Sequence, residues 1–301
     1  MRLGTEQMLA SRADLFIAND PDADRLGAVV NHKGSAIALT GNQVASIMTE
    51  YIFQQLSASG TVPPRPTVVK TIVTSPLVRA ITEKWGGVCV DVLTGFKYIA
   101  GQMDELEKNP SLGYFIFGCE ESLGYLYGTH VRDKDGIISA CLLSEIAWYL
   151  KTKNKTLADA LEELWKTYGY HEESLLSYSF EESRAGRSRL EKVMSLFRTE
   201  PPSQFDGSSV IGCEDLLTKT FRGEARLRIG ENLPQADVLL FSLADGSSLV
   251  VRPSGTEPKI KVYLMMKAPV GGSLEGSRQE LRQRTENMRM NLKNFMALAS
   301  E

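Results

Sequence analysis

The chain reads as an α/β protein in three parts: a short opening domain built round an acidic loop, a mixed α/β domain, and a separate α+β domain at the C-terminus. Three observations carry that reading. Between residues 67 and 168, apolar strand-like runs alternate with helical runs, the order that gives a mainly parallel sheet covered by helices. From about residue 170 the pattern changes to short strands and turns with few helices. A stretch rich in Ser, Gly and Pro at 57–66 falls where a linker is expected. At 301 residues the chain exceeds one ordinary domain, and the expected divisions are 1–60, 61–170 and 171–301.

The opening domain is expected to start with the end of a helix (1–12), then a short apolar strand (13–18) that delivers an acidic loop at its carboxyl end, where ligand sites of α/β sheets are found. Residues 26–30 read as the next strand, Lys33-Gly34 as a hairpin turn and 41–56 as a helix. The middle domain alternates strands at 67–73, 88–93 and 114–117 with helices at 77–85 and 98–108, and closes with helices at 137–150 and 156–168. Thr156 with Asp159 three residues on resembles a capping box and marks the start of the last helix. Strands at 176–180, 225–229, 238–243, 248–251 and 260–266 and helices at 187–197 and 279–299 make up the final domain.

Composition excludes several classes. With 43% hydrophobic and 24% charged residues the chain is globular, neither fibrous nor disordered. A net charge of -3 and the absence of a long basic run argue against a nucleic-acid partner. Cys89, Cys119, Cys141 and Cys213 lie far apart without CxxC spacing, so free thiols in a reducing, cytoplasmic setting are expected rather than disulfides or a zinc site. No secretory leader is recognisable after Met1. The most apolar helical run, 137–150, is interrupted by Ser139, Ser144 and Glu145 and is too short to span a bilayer, so no membrane role is expected.

Three segments carry chemistry. In Asn19-Asp20-Pro21-Asp22-Ala23-Asp24-Arg25, three carboxylates at alternate positions suit a hard cation, with a guanidinium beside them. An EF-hand would need Gly and Glu where Arg25 and Asn31 stand, so a calcium hand is rejected. A haloacid-dehalogenase-type phosphatase with Asp20 as nucleophile stays open, although Asp24 departs from its pattern, and so does a plain acidic turn. In Gly118-Cys119-Glu120-Glu121-Ser122-Leu123-Gly124, Glu120 and Ser122 are placed to clamp vicinal sugar hydroxyls; the plain alternative is a polar loop opening a helix. Lys134, in Arg132-Asp133-Lys134-Asp135-Gly136, can reach a phosphate or sugar oxygen, or belongs to a solvated turn. Arg252-Pro253-Ser254-Gly255-Thr256-Glu257-Pro258-Lys259 combines a glycine turn, two hydroxyls and two cations, as a phosphate nest requires; a bare hairpin would not need the flanking cations.

These segments in this order, with Thr94-Gly95-Phe96-Lys97 between the first two, closely resemble the α-D-phosphohexomutase family of phosphoglucomutases and phosphomannomutases, from about Ala13 to Met266. The resemblance implies a phosphohexomutase-type α/β domain and a C-terminal domain that is TATA-binding-protein-like in the family. It also implies an intramolecular phosphotransferase that interconverts sugar 1-phosphates and 6-phosphates, glucose foremost, through a phosphoserine and a sugar bisphosphate. By analogy Asp20, Asp22 and Asp24 hold Mg2+, Arg25 assists the phosphoryl group, Lys134 falls on a catalytic lysine of the family's active site, and Glu120 and Ser122 grip the sugar. Arg252, Ser254, Gly255, Thr256 and Lys259 bind the phosphate that is not being transferred. The last domain is expected to close over the cleft. The loops are more similar to those of phosphoglucomutases and phosphopentomutases than to phosphoglucosamine mutases.

The chain departs from the pattern in one respect. The family's Ser-His-Asn-Pro loop, on a first domain well over a hundred residues before the acidic loop, has no counterpart in these residues. The expectation is therefore a partial second domain, a third and a fourth, inactive alone, with the N-terminal domain of the full-length protein as the missing partner. A non-catalytic module that binds hexose or pentose phosphate and metal is the competing reading. Exposed strand edges and helix faces are expected to favour oligomerisation.

Overall fold

The computed structural model describes residues 1–224, 234–255 and 257–300, the side chains to 297. The strand expected at 225–229 lies outside the described residues. Met1–Tyr168 form one compact unit, and the described residues from Gly169 onward form the other.

The first unit opens with α1 (Arg2–Ser11) and a meander of β1 (Leu15–Asn19), β2 (Leu26–His32) and β3 (Ser35–Leu39). All pairings in it are antiparallel, with Asn19 opposite Leu26. The acidic loop is therefore the connection of a hairpin, not the carboxyl-end crevice of a parallel sheet that its apolar lead-in suggests. Lys33 and Gly34 turn β2 into β3 with positive φ at both residues. Thr40 then starts α2 (Gly41–Ser59) with a reciprocal capping box to Gln43, and Gly60 ends it in the left-handed conformation.

A four-stranded sheet follows in the order β5-β4-β6-β7, from β4 (Pro66–Thr71), β5 (Val88–Val92), β6 (Tyr114–Cys119) and β7 (Tyr125–Tyr127). Its first three strands are parallel; β7 returns antiparallel on β6. Every residue of the central strand β4 is buried, as a strand covered on both faces requires. The helices α3 (Pro76–Lys84), α4 (Phe96–Lys108) and α5 (Gly136–Thr152) pack on the sheet's strands, and α6 (Leu157–Tyr168) packs on α2, α3 and α5. Ser75 caps α3 with Pro76 in the first turn, Asp135 caps α5, and Thr156 and Asp159 exchange the bonds of the expected box. Val69, Val92, Phe96, Ile99, Met103, Leu106, Phe115 and Leu126 pack α4 onto the sheet. Burial of each larger side chain contributes roughly 1.5–3 kcal/mol.

Beneath the sheet's apolar face, β4 carries Lys70 with its ammonium 2.6 Å from Asp91 on β5; Lys70 is 2% and Asp91 0% exposed. Arg79 of α3 pairs with the same carboxylate.

The second unit is α+β. Its strands β8 (His171–Ser179), β9 (Gln204–Phe205), β10 (Ser208–Asp215), β11 (Thr220–Gly223), β12 (Leu239–Leu243), β13 (Ser248–Pro253) and β14 (Lys259–Lys267) form one antiparallel sheet in the order β11-β10-β12-β13-β14-β8, with β9 on β10. Its helices α7 (Arg184–Thr199) and α8 (Leu274–Ser300) bury Phe197 and Leu281 among their core residues. All four cysteines are free, and no helix among the described residues is long and apolar enough to cross a membrane.

Candidate active site

The acidic loop is held by its own backbone. Ala23 donates to the Asp20 carbonyl at 2.9 Å, the Arg25 N–H donates to Asp20 Oδ1 at 3.0 Å, and Asn19 Nδ2 donates to the Arg25 carbonyl at 2.7 Å. Ala23 takes a φ of 58°, a left-handed turn that aims the carboxylates to one side. One oxygen from each of Asp20, Asp22 and Asp24 lies within 4.8 Å of the others. The Arg25 N–H keeps the Asp20 carboxyl below its ordinary range.

Lys134 reaches this cluster from the loop before α5, its Nζ 2.7 Å from Asp24 Oδ2 and 3.4 Å from Asp133. Desolvation pulls its pKa down, but the Asp24 hydrogen bond and the charges of Asp133 and Asp24 outweigh it and hold the ammonium above its ordinary value. The other oxygen of Asp24 is buried without a hydrogen-bond partner, with Arg25 Nε 3.9 Å away. A buried carboxylate oxygen left unsatisfied costs about 1–3 kcal/mol, which a bound cation removes. Three hard oxygen donors and this orphaned atom fit a divalent metal.

The second loop closes on the first. Arg25 bridges Gly124, the Leu26 N–H donates to the Leu123 carbonyl at 3.0 Å, and Gly124 accepts from the Glu120 N–H at 2.8 Å. Glu120, 6% exposed, accepts the Gly95 N–H at the start of α4 at 3.0 Å, which brings the Thr94–Lys97 segment to the site. Burial pushes its carboxyl up, the Glu121 charge adds to that, and Lys134 and Arg25 work against it. Ser122 is exposed on the same loop. Asp20, Asp22, Asp24, Arg25, Glu120 and Lys134 are thus brought together by two loops and one helix cap.

Several further residues support the site. Thr71 Oγ1 donates to Glu121 at 3.1 Å, tying the sugar-type loop to the end of β4. Asp135 takes the Ile137 and Ile138 N–H groups, and His130 Nε2 lies 3.0 Å from its other oxygen. That cap sets Gly136 so close to the acidic loop that its N–H donates to the Ala23 carbonyl at 3.1 Å and a Cβ would lie 2.6 Å from the same oxygen. Thr71 and Glu121 sit 50 residues apart and Gly136 and Ala23 over a hundred, beyond the reach of local spacing, whereas the Asp135 cap and its His130 contact are local.

In the second unit, residues 254–258 connect β13 to β14. The Ser254 N–H donates to the Lys259 carbonyl at 2.8 Å, and Lys259 Nζ pairs with Glu257 at 3.0 Å. Arg252 lies along Tyr263, donating to its hydroxyl at 3.3 Å, with Nε buried and unpartnered. Gly255 is exposed at the tip, and Thr256 lies outside the described residues.

The family model for phosphoglucomutase/phosphomannomutase α/β/α domain III matches residues 40–168, and that for the family's C-terminal domain matches 213–265. The chain belongs to the phosphoglucomutase/phosphomannomutase family. Phosphoglucomutase of Staphylococcus aureus (strain bovine RF122 / ET3-1) is 36% identical over 261 residues, 86% of this chain and 46% of that protein. Two solved structures share the fold. Paramecium parafusin, a phosphoglucomutase in its open form, has a TM-score of 0.62 at 17% identity, over 98% of this chain and 49% of its own. A phosphoglucomutase/phosphomannomutase family protein of Burkholderia thailandensis gives 0.55 at 15%, over 95% and 49%. The chain spans about half the length of the curated relatives it matches, and what it covers is the family's C-terminal part.

Proposed function

We propose that this chain is the C-terminal portion of a phosphoglucomutase, an isomerase of the intramolecular phosphotransferase type, that interconverts glucose 1-phosphate and glucose 6-phosphate. The phosphoserine comes from the N-terminal portion of the full-length protein, and a sugar bisphosphate is the intermediate. The observation that carries the reading is the convergence of Asp20, Asp22 and Asp24 with Lys134 and the buried Glu120 in one cluster. The S. aureus relative, named as a phosphoglucomutase, supports glucose as the sugar.

In this reading residues 1–60 carry the metal loop, 61–170 the sugar loop and 171–301 the phosphate loop. Asp20, Asp22 and Asp24 hold Mg2+. When bound, the ion offsets negative charge that builds on the phosphoryl oxygens during transfer. Lys134 presents its ammonium beside Asp24 to the reacting oxygen, and Arg25 steadies the phosphoryl group from the other end of the loop. Glu120 spends one oxygen on the Gly95 N–H and offers the other, with the Ser122 hydroxyl, to vicinal sugar hydroxyls. Such fixed positioning is the main thing a mutase can contribute to a reaction whose barrier depends on geometry. Arg252, Ser254, Gly255, Thr256 and Lys259 grip the phosphate that stays on the sugar. The free thiols accord with a cytoplasmic setting.

The test supplies glucose 1-phosphate and Mg2+ to the chain alone and to the chain mixed with the phosphoserine-bearing N-terminal half of the S. aureus relative. Turnover is expected in the mixture only. Turnover by the chain alone, or a mixture unaffected by Glu120→Gln, would overturn the assignment.

A further inference from the structure

A cavity of about 360 Å3 opens in the first unit between α2, α5, α6 and the end of α3, within the roughly 300–1,000 Å3 range of small-molecule sites. It is separate from the acidic loop: α2 meets the sugar-type loop at Gly41 and lines the cavity from Ile47, about 9 Å further along its axis.

Its walls are aromatic and fixed in place. Glu50 Oε2 accepts from Trp85 Nε1 at 3.2 Å and from the Tyr168 hydroxyl at 2.9 Å, while Oε1 accepts from Gln54 at 2.9 Å. Tyr51 bonds Glu145 at 2.7 Å and packs edge-on against Tyr149 with centroids 5.3 Å apart. Two exposed lysines lie over these rings: Lys84 with Nζ 4.9 Å from the Tyr168 centroid, and Lys153 with Nζ 4.0 Å from that of Tyr149. Lys155 is paired with Glu163, but neither Lys84 nor Lys153 meets a carboxylate among the described residues. Two uncompensated ammonium groups over a rigid aromatic wall select a ligand that is both flat and anionic.

We propose that this cavity binds a small aromatic phosphate, its ring against Tyr149 and Tyr168 and its phosphate between Lys84 and Lys153. Nucleoside monophosphates and other aryl phosphates share that chemistry. The test titrates the full chain with adenosine 5′-monophosphate, 1-naphthyl phosphate and inorganic phosphate, by calorimetry and by the fluorescence of Trp85. Saturable one-to-one binding of at least one aromatic phosphate is expected, much tighter than that of inorganic phosphate. The Lys84→Glu/Lys153→Glu variant is expected to weaken it at least tenfold at unchanged Tm, with Asp24→Asn and Arg252→Ala leaving it intact. Binding of the nucleotide alone assigns that source; binding of the naphthyl compound alone assigns the other. Trp85→Phe should keep the heat signal and lose the fluorescence change. The proposal fails if neither aromatic phosphate binds at millimolar concentration, if inorganic phosphate binds equally, or if Arg252→Ala abolishes binding.

Discussion

Asp24 meets Lys134 with one oxygen and leaves the other buried and unpartnered, so the same side chain is claimed by a fixed ammonium and available to a cation. Two opposite predictions follow from that competition. Asp24→Asn keeps the shape but removes a charge, and is expected to weaken Mg2+ binding at least tenfold by calorimetry. Lys134→Met removes the competing ammonium and is expected to tighten Mg2+ binding severalfold while abolishing turnover in the reconstituted enzyme. The exposed Asp14–Lys151 pair is the control, and Asp14→Asn should change neither quantity. If Asp24→Asn binds Mg2+ like the unaltered chain, the three carboxylates are a surface turn and nothing more. At this scale the sequence was most legible, because the D-x-D-x-D spacing and the adjoining arginine are local facts. Lys134 stood out as a cation able to reach a phosphate or sugar oxygen, with a solvated turn as the alternative, while Thr71 was not visible, since its role exists only once distant loops meet.

Elements were legible where burial is one-sided or continuous, as in β4, α2 and α6, and illegible where a strand is short or exposed or, like the half-buried β10, shows no alternation. Four of the five residues of β3 are exposed, so no hydrophobic alternation marks it, and β7, β9 and β11 are too short to show a period. The direction of β1 was also hidden: an apolar strand before an acidic loop reads alike in a parallel sheet and in a hairpin, and only pairing with β2 decides. What locks these elements into a site is the absence of side chains at their contacts. A Cβ on Gly41, at the start of α2, would lie 2.1 Å from the Glu121 carbonyl oxygen, which is backbone and has little freedom to yield. Gly41→Ala is therefore expected to cost about 1–3 kcal/mol and to push the Glu120–Ser122 loop outward. Gly101 within α4 faces open space, and Gly101→Ala should instead stabilise by about 0.5–1 kcal/mol through helix propensity. Urea unfolding of both variants checks the pair, and equal effects would mean the close approach at Gly41 carries no constraint.

The whole molecule divides its reporters unevenly between its two units. Trp85, Trp148 and Trp165 all lie in the first, while the deeply buried His171 lies in the second, at the start of β8. Burial pulls the His171 pKa down to about 4 from 6.5, against the pull of a Gly169 carbonyl 3.0 Å from its Nδ1. The folded state then binds fewer protons than the unfolded one between those values, so stability is retained above pH 6.5 and lost as the pH falls toward 4. At pH 5 the loss amounts to about 2 kcal/mol for one such group. Glu120 acts with the opposite sign, since a raised carboxyl gains protons on folding and stabilises as the pH falls past its folded value. Asp135 and Asp159 are held below their ordinary values, so their contributions are lost only at still lower pH. Between pH 7 and 5, acid is thus expected to weaken the second unit and spare the first. Urea unfolding followed by circular dichroism, which sees both units, should shift to lower midpoint and broaden on acidification, while tryptophan fluorescence holds its midpoint. His171→Gln, which cannot take up the proton, should remove the difference between the two probes. Coincident shifts of both signals, or a pH response that survives the substitution, would show that the acid sensitivity lies elsewhere.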